Sequence, residues 1–320
     1  MAADPEPTDT GDAENESTVT VVLAFVANAL IALAKTAAAA LTGSASMVAE
    51  AAHSWADTGN EVLLLIANRR VQRRPDPAHP LGYGREAYIW SMFAAIGLFA
   101  VGAGVSVTHG VQELISPEPA SDFGIAYAVL AISAVLEAIS FRQAYRQLRH
   151  EAEDAQRSLL THALRTSDPT TRAVFAEDAG ALIGLAIAFV GVLLHEVTGS
   201  PVPDALGSIA VGILLGVIAV VLIDRNRRFL LGEEAAPVVR ETVLDWLVEQ
   251  PEVERVTYLR IEYLGPRRVS LVASVDLVGD LPEHDVAATL HALRARLEAN
   301  PAVLRALIGL ATADEPSLRV

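Results

Sequence analysis

Six apolar stretches, each close to the length that crosses a bilayer as a helix, dominate the chain. They fall at about 19–41, 45–67, 87–109, 123–141, 173–194 and 205–223. Lipid offers no partner for backbone N–H and C=O groups, so stretches of this length are read as helices, which satisfy those groups internally. Composition agrees, since 52% hydrophobic residues over 320 and a mean hydropathy of +0.36 are too apolar for an ordinary soluble protein.

The loops orient the helices. Arg69, Arg70, Arg73, Arg74 and Arg85 lie between the second and third stretches. Arg142, Arg146, Arg149, Arg157 and Arg165 lie between the fourth and fifth, and Arg225, Arg227 and Arg228 follow the sixth. The other three loops, near 42–44, 116–122 and 196–204, carry no Lys or Arg. Positive charge marks the cytoplasmic side, so both termini are expected in the cytoplasm of a multi-pass protein of the cell (inner) membrane. Residues 1–17, with Asp4, Glu6, Asp9, Asp12, Glu14 and Glu16, read as a disordered acidic tail that contributes to the formal net charge of −15. The tail lacks the basic start of a signal peptide and is expected to stay uncleaved.

Beyond the last arginines the character changes. Residues 18–228 are expected to form the membrane domain and 229–315 a small cytoplasmic domain. Pro237 opens a helix to about 249, with proline in its favoured first turn. Residues 253–262 and 268–277 alternate apolar and polar, as half-buried strands do, around a Leu264, Gly265, Pro266 turn. Residues 282–298 place Val286, Leu290, Leu293 and Leu297 on one helical face, and 303–311 supply a last strand. The fold class expected is an α-helical membrane protein of six transmembrane helices with a C-terminal α+β domain of order αββαβ.

The second apolar stretch carries the chemistry. His53 and Asp57 are four residues apart, so an imidazole and a carboxylate share one helical face at membrane depth. A charge at the centre of a membrane helix costs roughly 2.5–3.5 kcal/mol even on the gentlest scales. Glu50, His53, Asp57 and Asn60 or Glu61 recur at steps of three and four, with Ala49, Ala52 and Ala56 beside them. One nitrogen and one oxygen ligand suit a divalent metal. The fifth stretch holds Glu177 and Asp178, which point roughly 100° apart on a helix and so do not aim at one point. Packing of the second and fifth helices is expected to bring His53, Asp57 and Asp178 together, with Glu177 to spare. The chain has no cysteine, so thiolate sites and disulfides are excluded and the ligands are nitrogen and oxygen. Zinc fits this set, and a more oxygen-rich set shifts preference to manganese or iron(II). A neutral imidazole binds metal and an imidazolium does not, so metal and proton compete at His53 near pH ~6.5. A site at the bilayer midplane suits alternating access.

Four motifs carry a family resemblance. They are residues 41–60 (LTGSASMVAEAAHSWADTGN), 79–88 (HPLGYGREAY), 204–209 (DALGSI) and 263–269 (YLGPRRV). Over about 19–311 the chain resembles the cation diffusion facilitator family of zinc and manganese transporters, and is most similar to the branch with the mitochondrial and nuclear zinc transporter-like proteins. The resemblance implies a homodimer, six membrane helices per protomer, paired ferredoxin-like cytoplasmic domains, and export of divalent cations against protons. It implies that His53 and Asp57 form half of the transport site and that Asp178 belongs to the other half. The position four before Asp178 is Val174, so Glu177, Asn60 or water is left for the fourth ligand. A weak loop site matches at Asp76 and His79, but Tyr83 stands where the family has its next histidine. His109, His150, His162, His195, His284 and His291 read as ordinary residues, and Lys35 as a partner for a buried acid or a snorkelling side chain.

Other classes fit less well. No His-Glu-x-x-His and no glycine-rich phosphate loop occur, against a membrane metalloprotease or an ATP-driven pump. A membrane metal sensor needs fewer spans. The expected partners are a transported divalent cation, protons, the bilayer and a second copy, with no bound cofactor and no nucleic acid.

Overall fold

The computed structural model describes residues 10–117, 122–154, 157–312 and 314–318. Its helices are α1 (Thr10–Thr42), α2 (Ala45–Val71), α3 (Glu86–Gly97), α4 (Gly104–Ile115), α5 (Phe123–Asp154), α6 (Leu159–Arg165), α7 (Pro169–Thr198) and α8 (Val202–Leu231). A π segment, Leu98–Ala103, joins α3 to α4 in one rod. Then follow α9 (Pro237–Val248), β1 (Val253–Gly265), β2 (Arg268–Leu277), α10 (Glu283–Glu298) and β3 (Val303–Leu310). The chain divides into two compact units.

The first unit holds the chain up to Leu63, Phe93–His150 and Val174–Val221. Four helical rods, Glu86–Ile115, Phe123–Glu153, α7 and α8, are long and apolar enough to cross a membrane. The protein is therefore a multi-pass membrane protein. In α1 the described apolar run is shorter, Asn28–Thr42, and the 27-residue α2 is interrupted by its polar stripe. Helix α1 starts at Thr10, inside the stretch read as a tail; that stretch's last proline is Pro7, and no other comes before α1 ends at Thr42. Residues 1–9 lie outside the described residues. The outward surface is apolar, with Leu30, Ile132, Val135, Ile139, Ile183 and Val217 exposed, as a bilayer requires.

Helix α2 sits at the centre of this unit. Met47 packs with Ala38, Leu130, Leu185 and Val192, from α1, α5 and α7. Ala49 and Ala56 pack instead with Leu98, Ala103, Val211 and Leu215, from the π-containing rod and α8. Small residues on two sides bring neighbours close and bury what lies between. Gly43 takes φ 66° to turn the chain from α1 into α2. Asp204, buried at the start of α8, accepts from the amides of Ala45 (2.7 Å) and Ser46 (3.3 Å), capping α2 from another helix.

The second unit holds Leu64–Met92, Glu151–Ala173 and the chain from Leu222 onward. Its sheet has the order β1-β2-β3, with β1 antiparallel to β2 and β2 parallel to β3. Alternate residues Val269, Leu271, Ala273, Val275 and Leu277 of β2 are buried, as their spacing predicts for a strand covered on one face. Leu244 and Leu247 of α9 and Leu293 and Leu297 of α10 join the same core. The αββαβ order expected from sequence is thus observed. The helix ends run past their apolar stretches: α5 continues to Asp154 and α8 to Leu231, and the short α6 has no apolar run to announce it.

Two sequence motifs meet here. The hairpin tip approaches Gly84 so closely that a Cβ there would lie 2.5 Å from the Leu264 carbonyl oxygen. The Arg267 amide donates to Ser167 Oγ (3.1 Å), and its guanidinium reaches Glu151 at 2.6 Å. Nearby, the fully buried Arg172 donates to Asn226 Oδ1 and to the Thr166 carbonyl, while Asn226 donates to Ser91 and Tyr88 stacks on Phe229. Nothing in the spacing of Arg172 marked it as a core residue.

Candidate metal transport site

The stripe on α2 keeps its polar atoms inside the first unit. At its N-terminal end Lys35 Nζ lies 2.9 Å from Glu50 Oε2, with both side chains fully buried, so Lys35 is an internal ion-pair partner and does not snorkel. One step on, His53 Nε2 stands 3.4 Å from Asp57 Oδ2 without the alignment of a hydrogen bond. Further along, Asn60 donates a short hydrogen bond to Glu177 Oε1 on α7, and Asn28 donates to Glu61 Oε1 at 2.6 Å.

Asp178 departs from the expectation. Its Oδ2 accepts from Ser140 Oγ on α5 at 2.8 Å. The spare acid, Glu177, is the one that is tied to α2. Adjacent helical residues diverge by about 100°, so once Glu177 turns to Asn60 the Asp178 side chain is carried round toward α5. Among the described residues no three His, Asp or Glu side chains gather as a metal cluster. His53 and Asp57 stand as a pair, and Asp178, Glu177 and Asn60 do not close around them in this conformation.

What surrounds the pair is unusual for a protein interior. Both ring nitrogens of His53, Oδ1 of Asp57, Oδ1 of Asn60 and Oε2 of Glu61 are buried with no hydrogen-bond partner. Each such atom costs about 1–3 kcal/mol. An imidazole and several carboxylate oxygens left unsatisfied along one helix fit a divalent cation as cargo. Asp57 also feels the charges of Glu177, Glu137, Asp178 and Lys35. Glu137 is thus a member of the site's electrostatic surroundings that the site assignment from sequence left out, and Glu61, with its unpartnered Oε2, is a second omission along the stripe. The sign was available for Glu137, a lone acid in an apolar stretch. Ser140, three residues on, shares its face.

The loop pair is differently placed. Both oxygens of Asp76 are occupied, Oδ1 by the His79 amide (2.7 Å) and Oδ2 by the Tyr83 hydroxyl (2.5 Å). His79 Nδ1 stands 3.4 Å from Oδ1. The Tyr83 hydroxyl holds the Asp76 carboxyl below the usual carboxylate range, and the same bond raises the Tyr83 phenol. Tyr83 stands at the place of a third ligand and donates to Asp76, so these residues form a hydrogen-bonded turn in this structure. Elsewhere, His195 Nδ1 lies 3.9 Å from Asp204 and His162 Nε2 3.4 Å from Glu151, while His284 and His291 are exposed.

Comparison with known families matches residues 21–231 to the cation efflux transmembrane domain. The chain belongs to the cation efflux family. Among relatives of this cation efflux protein is the proton-coupled zinc antiporter SLC30A9, mitochondrial, of Mus musculus, 36% identical over 81% of the chain and 46% of the relative. Metal tolerance protein C4 of Arabidopsis thaliana is 34% identical over 73% of the chain and 51% of its own length. An uncharacterized transporter of Methanocaldococcus jannaschii is 23% identical over 92% of the chain and 98% of its length. The chain spans about half the length of the first two relatives. These matches bear out the resemblance read from the motifs, including the branch, and the named functions among them are those of transporters and not of enzymes.

Proposed function

We propose that this cation efflux protein exports divalent metal cations from the cytoplasm in exchange for protons. Zinc is the principal cargo, with manganese and iron(II) next. The observation that carries the reading is buried His53 beside part-buried Asp57 on the central helix of an apolar bundle, where both ring nitrogens and Asp57 Oδ1 are enclosed without hydrogen-bond partners. The zinc and proton coupling in the name of the SLC30A9 relative agrees with it. His53 and Asp57 form the core of the site. Glu177 and Asp178 complete it when α7 turns, exchanging Asn60 and Ser140 for metal. In this reading six helices, α1, α2, the α3–α4 rod, α5, α7 and α8, cross the cell membrane, both termini are cytoplasmic, and two protomers pair. Protonation of His53 displaces the metal.

Flux into proteoliposomes loaded with a metal-sensitive dye tests the proposal, with zinc and manganese side by side, with and without a proton gradient. The expected result is gradient-dependent flux that Asp57→Ala abolishes. Flux indifferent to pH contradicts proton exchange. Saturable metal binding by folded protein with no flux favours the second reading, a membrane metal sensor, which the small number of engaged ligands in this conformation also suits.

A further inference from the structure

Arg157, Arg165, Arg225 and Arg228 line one cavity of about 230 Å³ in the second unit, together with Glu233 and Tyr263. These arginines come from three separate pieces of chain: the segment after α5, the end of α6 and the last turns of α8. As markers of membrane orientation they would need only to lie on one side of the bilayer. Convergence on one small concavity is a further property, and it needs a reason.

The charges in the cavity do not cancel. Arg228 is held by Asp224 at 3.0 Å, and Glu234, also at the wall, stands 4.0 Å from Arg240. Among the described residues Arg157, Arg165 and Arg225 have no carboxylate at ion-pair distance. That leaves three guanidiniums facing a single acid, Glu233. A second, independent feature adds to the positive field. Ala236 and Pro237 form another wall, and they are the start of α9, which no side chain caps. The positive end of a helix macrodipole favours an anion there.

We infer that this cavity binds a phosphate group, carried by an anionic lipid headgroup or by a soluble phosphate. A phosphate monoester carries about −1.5 to −2 charges, which matches the surplus of three arginines over one carboxylate. Guanidinium forks meet phosphate oxygens in pairs, so several arginines around a small cavity select phosphate over a single-point anion. Arg225 and Arg228 follow directly on the apolar stretch of α8, as basic residues that meet lipid phosphates do.

The test uses the full-length protein in nanodiscs of neutral phosphatidylcholine. One arm titrates inorganic phosphate; the other adds phosphatidic acid to the disc and counts lipid retained per protein by native mass spectrometry. At least one probe should bind saturably, and the arm that succeeds identifies the source. Arg157→Gln, Arg165→Gln and Arg225→Gln should each weaken binding about 10-fold. Glu233→Gln should tighten it several-fold, an effect that misfolding does not imitate, and Arg227→Gln should change nothing. Failure of both probes with folded wild-type protein overturns the inference, as does equal binding by the wild type and the three arginine variants.

Discussion

The ion pair between Lys35 and Glu50 is wholly enclosed by helices, and removing one member leaves the other charge uncompensated. Lys35→Ala should therefore destabilise the protein by about 3–5 kcal/mol, whereas Lys35→Met with Glu50→Met should recover most of the loss. Chemical denaturation in detergent measures both, and a single variant as stable as wild type would contradict the buried charge. At the proposed cargo site, Ser140→Ala frees Asp178 from its hydrogen-bond donor on α5 and should raise metal affinity a few-fold, while Asp178→Asn should lower it about 10-fold, as calorimetry would read. In the loop, the depressed Asp76 carboxyl adds stability above the ordinary aspartate value near ~3.9, and that contribution is lost as pH falls through its lowered value. Tyr83→Phe should return the Asp76 titration toward the ordinary value in an NMR titration. His53 and Asp57 were legible because charge in an apolar helix needs a use. The switch between Glu177 and Asp178 was not, because it depends on how far α7 is rotated, and adjacent acids look alike in a sequence.

At the level of elements, α2 is placed by a cap supplied from α8. Asp204→Ala should cost about 1–2 kcal/mol in thermal unfolding and also weaken metal binding, because the amides of Ala45 and Ser46 then lose their acceptor two turns before His53. Rescue of both properties by Asp204→Asn would assign the effect to the cap. Gly84→Ala forces a methyl group into the Leu264 carbonyl and should unseat the hairpin tip, visible as faster amide exchange at Arg267. The strands were readable from alternation alone, since each is covered on one face. The helices were read too short because hydropathy stops where lipid stops, while hydrogen bonding continues through charged turns such as those ending α5. The π segment left no mark, because no proline or polar break accompanies it.

For the whole molecule, the C-terminal sheet has its own apolar core, drawn from α9, α10 and all three strands. A fragment of residues 229–320 should accordingly fold alone and unfold in one cooperative transition by circular dichroism; a featureless melt would mean that the core needs the rest of the chain. The general plan of apolar rods followed by a sheet domain was legible from hydropathy and period, which are set by the solvent each face meets. Which motifs touch was not, since the meeting of Gly84 with the hairpin joins residues about 180 apart in the chain. The π turn between α3 and α4 has a consequence for chain length. A π turn accommodates one residue more than the α-helix that would replace it. Deleting a single residue within Leu98–Ala103 would remove that surplus and leave the turns on either side in phase. The same deletion anywhere else in the rod would rotate half of it by about 100°. The third rod thus has one short window in which its length can drift by a residue without turning its faces, and a deletion scan through 86–115 would find it as the stretch that survives.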